Sequence, residues 1–184
     1  MKLSFFSLAS GSSGNCYYLG TPDFGILIDA GISFRTIKKV LKDNNIDISK
    51  IAAVLVTHDH ADHIKTVGYL GEKMYLPIYS TADVHRGIDN SRYVEETLNG
   101  SRRIIQKEVP FMIRDFSIVA FEVPHDSTDN VGYHICYKDH KFTFATDVGH
   151  ITDTVKKYMS MANHLIIEAN YDEEMLKFGT YPAF

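Results

Sequence analysis

The sequence predicts an α+β fold in which two strand-rich halves carry helices on their outer sides. Three observations predict it. Short apolar segments rich in β-branched and aromatic residues occur within 2–29 and again from residue 116 onward. Segments with apolar residues at helical spacing lie between them, and Gly, Pro, Asn and Asp separate the segments. The chain has 184 residues without an internal repeat or a linker, so one domain over 1–184 is expected.

The predicted strands are short apolar segments. In the first, Leu3, Phe5 and Ser7 alternate, which fits a strand better than a secretion signal because serines interrupt a short apolar stretch. The segment 51–57 is apolar and rich in β-branched residues, as expected of a buried strand. The predicted strands are 2–8, 15–19, 25–29, 51–57, 77–80, 117–123, 131–137, 141–146 and 164–169.

Four helices are predicted between these strands. Ile37, Val40 and Leu41 have helical spacing, and Thr81 and Thr152 stand where a helix N-cap is expected. The predicted helices are 34–44, 61–70, 81–87 and 152–161. The stretch 88–110 is polar and irregular, and its pattern assigns it to neither class.

Composition limits the possible classes of protein. A hydrophobic fraction of 45% and a charged fraction of 23% are ordinary for a globular protein, and no apolar stretch approaches the ~18 residues of a membrane helix. The two cysteines, Cys16 and Cys136, imply no disulfide framework, so a cytoplasmic location is expected. A net charge of −4 with scattered basic pairs neither requires nor excludes a nucleic-acid substrate, and the oligomeric state stays open.

A cluster of metal-binding side chains follows the apolar segment 51–57. His58, His60, Asp62 and His63 lie on a short loop between a predicted strand and a predicted helix. Regular structure holds both ends of such a loop, which suits a preorganised metal site. Imidazole nitrogens and carboxylate oxygens together are donors for zinc, manganese or iron. The sequence therefore predicts a metal site here.

Three further metal-binding residue types, Asp29, His125 and Asp147, come at the ends of predicted strands. Neighbouring strand ends converge on one edge of a sheet sandwich, so these side chains are expected beside the histidine cluster. The predicted first site is His58, His60 and His125, and the predicted second site is Asp62, His63 and Asp147. Asp147 would bridge the two cations, and Asp29 would orient a ligand imidazole through its free N–H.

The arrangement resembles the metallo-β-lactamase-fold superfamily of dinuclear metal hydrolases. The His-x-His-x-Asp-His motif at 58–63, with the strand-end residues, carries the resemblance over nearly the whole chain. The segments 10–15 (SGSSGN), 145–149 (ATDVG) and 167–172 (IEANYD) are similar to the YycJ (WalJ) subgroup of small bacterial metal-dependent nucleases. Asp147 differs from the lactamases themselves, in which a cysteine commonly takes the place of the bridging carboxylate.

The resemblance implies a four-layer αββα sandwich with two divalent cations (zinc, manganese or iron) between the sheets at one edge. It implies hydrolysis, and for this subgroup hydrolysis of phosphodiesters in DNA. Superfamily members carry a further metal-binding histidine downstream, in a Gly-His-Leu-Ser-Asn-like loop followed by closing helices and a strand. This chain stops at Phe184, before that loop. The C-terminal part of the fold is therefore expected to be missing, and the second cation to bind weakly.

The predicted substrate pocket adds polar residues near the strand ends, namely Ser12, Asn15, His150 and Asn170. The exposed N–H groups of the glycine-rich turn 10–14 suit a phosphate oxygen beside the metals, although a turn between strands needs no ligand. His150 is close enough in sequence to Asp147 to be a replacement metal ligand instead. A place in the substrate pocket is preferred, because Asp147 already serves the cations.

The leading functional hypothesis is a phosphodiesterase, and more narrowly a DNA exonuclease. Two cations about 3.5–4 Å apart would lower the pKa of a bridging water, whose hydroxide is the nucleophile. Asp62 would orient that hydroxide as well as bind metal, which makes it the predicted catalytic residue. Two alternatives stay open: hydrolysis of thioesters or other carboxylic derivatives by the same cations, and a catalytically impaired metal-binding domain with a regulatory role.

Overall fold

A computed structural model describes residues 3–168 of the chain. The strands are β1 (Ser4–Ala9), β2 (Cys16–Gly20), β3 (Gly25–Ile28), β4 (Ile51–Leu55), β5 (Ile78–Ser80), β6 (Arg102–Ile104), β7 (Phe111–Ile113), β8 (Phe116–Glu122), β9 (Val131–Tyr137), β10 (His140–Ala145) and β11 (His164–Ile167). The helices are α1 (Phe34–Asp43), α2 (Ala61–Ile64), α3 (Val67–Glu72), α4 (Ala82–Asn90) and α5 (Asp153–Met161), with a short 3₁₀ helix at Ile48–Lys50.

The strands form two sheets. The first has the order β1-β2-β3-β4-β5-β6, in which β1 to β3 pair antiparallel and β3 to β6 pair parallel. The second has the order β11-β10-β9-β8-β7 and is antiparallel except for the pair β10–β11. Because β3 and β4 are parallel neighbours, the residues that follow them meet at one edge of the first sheet.

Three hydrophobic clusters show how the layers stack. In β3, Ile26 and Ile28 face the second sheet while Leu27 faces the helices, which is the alternation of a strand buried on both sides. The cluster on the helix side of the first sheet includes Ile37 of α1 and Val84 of α4. The cluster on the outer side of the second sheet includes Phe121, Ala145, Val155 and Tyr158. The described residues thus form the predicted α+β, four-layer αββα sandwich.

The predicted helix after the histidine motif is interrupted in the structure, and α2 and α3 replace it. The carbonyl of Asp62 accepts a hydrogen bond from Asn15 N at 2.7 Å, and that of His63 accepts one from Ala30 N at 2.8 Å. Thr66 N then donates to Ala30 O at 2.9 Å rather than continuing the helix. Bonds to the ends of β2 and β3 therefore hold Asp62 and His63 at the cost of one helical turn.

The edge strands β6 and β7 were not predicted. Both lie at the edge of a sheet, and most of their side chains are exposed or half-buried, so they lack the apolar pattern of a core strand. The predicted caps are confirmed: Thr81 accepts from Val84 N at 3.3 Å and Thr152 from Val155 N at 3.2 Å. Within residues 3–168, no helix has the length and apolar character needed to cross a membrane.

Candidate metal centre

The site lies at the edge where strands of both sheets end. Asp29 follows β3, His58 follows Thr57 at the end of the segment that begins with β4, and His125 and Asp147 follow β8 and β10. The two sheets are joined here directly, since Val131 N donates to Thr57 O at 3.0 Å and Tyr133 Oη donates to Val56 O at 2.7 Å. The convergence expected from strand ends is therefore present.

The predicted first-site residues lie together. One ligand atom each from His58, His60 and His125 can be chosen so that all lie within 4.8 Å of one another. The three ring centroids are 4.7–4.9 Å apart, and His125 Nε2 lies 3.3 Å from His60 Nδ1. His58 is buried, whereas His60 and His125 are half-buried. This arrangement offers three imidazoles on one side to a common partner.

The second group of donors differs from the predicted one in one member. His58, His63 and Asp147 also have ligand atoms within 4.8 Å of one another, and His63 Nε2 lies 3.2 Å from Asp147 Oδ2. Asp62 is not part of either group, although its Oδ2 lies 3.6 Å from His63 Nε2. The structure brings His63 and Asp147 together and places His58 between the two groups. A ligand role for Asp62 stays a prediction.

A proton argument shows which ring nitrogens face the site. Thr57 Oγ1 has one proton, and it donates to Asp29 Oδ2 at 2.9 Å. His58 Nδ1, 3.0 Å from Thr57 Oγ1, must then donate to it, which leaves His58 Nε2 unprotonated. His63 Nδ1 lies 2.8 Å from Asp29 Oδ2 and donates to this carboxylate. Asp29 and Thr57 therefore turn the Nε2 atoms of both histidines toward the site.

Asp29 is itself firmly held. It is fully buried, has a left-handed φ of 59°, and accepts a further bond from Thr57 N at 2.8 Å. The structure thus places Asp29 against His63, where an orienting role was predicted. The role of Thr57 was missed by the sequence analysis, because a threonine that ends an apolar strand carries no signal of its own.

Unsatisfied buried atoms test whether divalent cations fit these residues. Within the described part of the chain, His58 Nε2 is buried without a hydrogen-bond partner and Asp147 Oδ2 is buried with only the 3.2 Å contact to His63 Nε2, whereas buried polar atoms normally make a well-formed hydrogen bond. An unprotonated imidazole nitrogen and a carboxylate oxygen are suitable donors for zinc and for manganese or iron. The residues present therefore fit the cations that the sequence predicts.

The carboxylates of Asp29 and Asp147 favour positive charge at this site. Burial would lower the pKa of His63, but the carboxylates of Asp29 and Asp147 outweigh burial and raise this pKa to about 10. Burial and the neighbouring His63 lower the pKa of His58 to about 2, so its imidazole stays neutral. Burial would raise the pKa of Asp147, yet interaction with His63 lowers it to about 2. Asp147 thus remains ionised next to neutral His58.

Asn15, predicted in the substrate pocket, lies against the candidate ligands and is only 3% exposed, and its contact with substrate stays a prediction. Gly11 fixes the orientation of its amide, because Gly11 N donates to Oδ1 at 3.1 Å while Nδ2 donates to Gly11 O at 3.2 Å. The remaining Nδ2 proton faces His63 Nε2 at 3.0 Å and Asp62 Oδ2 at 3.4 Å. Asn15 therefore presents a donor, not a metal-binding oxygen, to the centre.

The other predicted pocket residues are less closely tied to the centre. Ser12 and His150 are exposed, and their contribution to a substrate pocket stays a prediction. Asn170 lies outside the described residues. Gly31 was not singled out in the sequence, yet a Cβ at this position would lie 1.5 Å from Asp62 O, so only glycine lets β3 approach the motif this closely.

Two donor groups that share His58, set at the edge of an αββα sandwich, define the class as a sandwich protein with a candidate dinuclear metal centre. The family described as "Beta-lactamase superfamily domain" matches residues 25–181. The chain belongs to this superfamily.

Relatives and a solved structure agree with this assignment. The exodeoxyribonuclease YycJ of Bacillus anthracis is 32% identical over 182 residues, covering 99% of this chain and 68% of the relative. The exodeoxyribonuclease WalJ of Streptococcus pneumoniae is 34% identical over 174 residues, covering 95% of this chain and 65% of the relative. This chain thus spans about two thirds of their length. The Rm3 metallo-beta-lactamase superposes with a TM-score of 0.69 at 12% identity, covering 89% of this chain and 74% of that one, which supports the fold.

Proposed function

We propose that this protein is a metal-dependent phosphodiesterase that acts on DNA as an exonuclease. The observation that carries the proposal is the pair of donor groups, His58 with His60 and His125, and His58 with His63 and Asp147. Two relatives that span nearly the whole chain are named exodeoxyribonucleases, which supports DNA as the substrate. Zinc, manganese and iron are the candidate cations.

Each residue of the centre has a defined task in this proposal. Two bound cations would acidify a water molecule and polarise a phosphoryl oxygen. His58, His60 and His125 would hold the first cation, and His63 and Asp147 the second, with Asp147 also reaching toward the first. Asp29 accepts the Nδ1 proton of His63, so that Nε2 is the nitrogen that would lose its proton and bind the cation.

In this proposal, substrate binds on the side of the site where Asn15 offers a hydrogen-bond donor. The Nδ2 proton of Asn15 faces the second group of ligands, where an anionic phosphoryl oxygen is expected to lie. Ser12, His150 and Asn170 are proposed to line the same pocket, and Asp62 to orient the attacking water. A cytoplasmic location belongs to the proposal as well, since Cys16 and Cys136 are both free thiols.

One experiment separates this proposal from its alternatives. The full chain, loaded with zinc or manganese, is assayed with single- and double-stranded DNA, with an aryl phosphodiester and with an acyl thioester. DNA hydrolysis that is lost in His58→Ala and kept in His164→Ala supports the proposal, because His164 is exposed at the opposite end of the second sheet. Faster thioester hydrolysis would favour the carboxylic-derivative alternative, and metal binding without turnover would favour the impaired domain.

A further inference from the structure

Asp59 stands between two candidate ligands and bonds to the loop that carries a third. Its neighbours in sequence are His58 and His60, and the loop 124–130 carries His125. Asp59 Oδ1 accepts a hydrogen bond from the Thr128 main-chain N–H at 3.2 Å, and Oδ2 accepts one from the Thr128 hydroxyl at 2.5 Å. Bonds to a carboxylate are among the stronger hydrogen bonds in proteins. A single side chain therefore joins the end of β4 to the loop between β8 and β9.

Helix α4 leaves the space that this carboxylate occupies. A Cβ on Gly87 would lie 2.0 Å from Asp59 Oδ2 and 2.7 Å from Asp59 Cβ, so any larger residue would displace Asp59. Glycine inside a helix is less stable than alanine. Close packing against Asp59 gives a physical reason for glycine at this position of α4.

Other bonds also hold this loop, but Asp59 provides its bonds from Thr128 to the histidine motif. Asp129 accepts from Thr81 Oγ1 and from Lys107 Nζ, each at 2.7 Å, and Val123 N donates to Asn130 O at 3.1 Å. These bonds fix the residues after Thr128 and the end of β8. Gly149 N donates to Pro124 O at 2.8 Å and Ser127 Oγ donates to Asp129 O at 3.0 Å, but neither bond joins the segment that contains His125 to the histidine motif.

The remaining contacts between the motif and this segment use ring nitrogens that a cation needs. His125 Nε2 lies 3.3 Å from His60 Nδ1, and His60 Nε2 lies 3.2 Å from Asp126 O. Binding of a cation by His60 and His125 would break the contact between their rings. Asp59 uses no metal-binding nitrogen for its bonds to Thr128, so it can hold the loop both with and without metal.

We propose that Asp59 is a positioning residue that latches the His125 segment onto the histidine motif and thereby sets the geometry of the first cation site, with Gly87 providing the space. The inference rests on the metal centre of the proposed function. Asp59 itself touches no cation in this proposal, since Thr128 uses both of its carboxylate oxygens.

The test measures metal geometry and affinity rather than activity. Full-length wild type and Asp59→Ala are titrated with Co²⁺, whose visible absorption reports ligand geometry, and chelator competition gives the affinity. We expect an affinity loss of about 10-fold or more at the first site, in the range typical of residues that orient metal ligands. Asp83→Ala is the matched control, because Asp83 is a half-buried aspartate on α4 that pairs only with Arg86 among the ion pairs of the described residues.

Gly87→Ala provides a second, independent route to the same effect. The added Cβ displaces Asp59, so this variant is expected to lower Co²⁺ affinity as Asp59→Ala does, while the gain in helix propensity offsets part of the loss in thermal midpoint. In the double variant, Gly87→Ala should cause little further loss, because the carboxylate that it displaces is already absent and only the Cβ of residue 59 remains near the added Cβ. Losses that add would show independent effects and overturn the latch.

Hydrogen exchange separates failure of the latch from failure of the metal site. The Thr128 amide should exchange faster in Asp59→Ala, since its acceptor is removed, and Asp59→Asn should restore part of the affinity because it keeps one acceptor oxygen. Wild-type affinity in Asp59→Ala would overturn the latch while the loss in His58→Ala still supported the centre. Equal Co²⁺ binding by wild type and His58→Ala would overturn both.

Discussion

At the scale of single residues, main-chain bonds decide what a side chain offers to the centre. Asn15 would bind metal through its amide oxygen or donate a hydrogen bond through its amide nitrogen, depending on which of these atoms faces His63. The N–H and the carbonyl of Gly11 both bind this amide, and together they allow only the orientation that presents Nδ2. The chemistry of this position is thus set by a turn that begins four residues earlier.

Replacement of Asn15 by alanine should lower phosphodiester turnover more than metal affinity. The variant removes a donor that faces an anionic substrate, and a hydrogen bond to a charged group contributes roughly 1.5–3 kcal/mol, or about 10- to 100-fold in rate. Steady-state kinetics together with Co²⁺ titration of Asn15→Ala check this. Asn99→Ala, an exposed asparagine on the loop before β6, is the control, and an equal loss in both variants would contradict the assignment.

Asp147→Asn should weaken the second cation more than the first. An amide keeps the shape of the side chain but loses the negative charge that lies 3.2 Å from His63 Nε2. Three imidazoles remain at the first site, so its affinity should change less. Stepwise titration followed by calorimetry measures both affinities, and no change at either site would show that Asp147 does not bind metal.

At the scale of elements, helix α4 joins the first sheet to the site and also contains a buried histidine. His85 on α4 lies with its Nε2 3.3 Å from Arg103 O of β6, and its Nδ1 is buried without a partner among the described residues. Burial lowers the pKa of His85 below its ordinary value of 6.5. The neutral form is therefore the one that packs between α4 and β6.

This burial predicts a loss of stability in acid. Below pH 6.5 the unfolded chain takes up a proton at His85 that the folded chain does not, so the free energy of unfolding falls as the pH decreases. His85→Gln should reduce this slope by at most about 1.4 kcal/mol per pH unit, the effect of one proton. Urea denaturation with a chelator at pH 7.5, 6.5 and 5.5 measures it.

The slope in His85→Gln will not vanish, because burial lowers the pKa of other histidines too, namely His58, His125 and His134. The charged groups that act on His85 are Arg102, which lowers its pKa, and Asp89, which raises it. The carboxylates of Asp29 and Asp147 lie near His63 and not near His85. An unchanged slope in the variant would show that His85 is protonated equally in both states.

At the scale of the whole molecule, the centre joins the two sheets. His58 and His63 come from the first sheet and its loop, whereas His125 and Asp147 follow strands of the second. Cations bound by both would link the halves of the sandwich and stabilise the folded state by mass action. A cation at 100 times its dissociation constant would contribute about 2.7 kcal/mol.

Metal removal should therefore lower the thermal midpoint of the full chain. Wild type is compared in zinc and in excess chelator by scanning calorimetry, and the difference should shrink in His58→Ala, which removes a ligand shared by both groups. His164→Ala should keep the wild-type difference. A chelator effect that is as large in His58→Ala as in wild type would place the stabilising cation elsewhere.

The order of elements and the first donor set could be predicted from the sequence, because both depend on local patterns. Alternation and apolar spacing locate a strand or helix, Thr81 and Thr152 are recognisable caps, and the motif at 58–63 is a local cluster of donors. Strand ends also converge by geometry alone, which brought His125 and Asp147 into the prediction. The edge strands were missed because their exposed side chains carry no such pattern.

Only the tertiary structure decided how each side chain at the centre is oriented. Asn15 N donates a hydrogen bond to the carbonyl of Asp62, which interrupts a predicted helix. The Thr57 hydroxyl donates its one hydrogen bond to Asp29, which determines the free nitrogen of His58. Asp59 meets Thr128 across 69 positions of the chain. Hydrogen bonds between distant segments have no local signature, because their partners are chosen by the packing of the two sheets and not by the residues beside them.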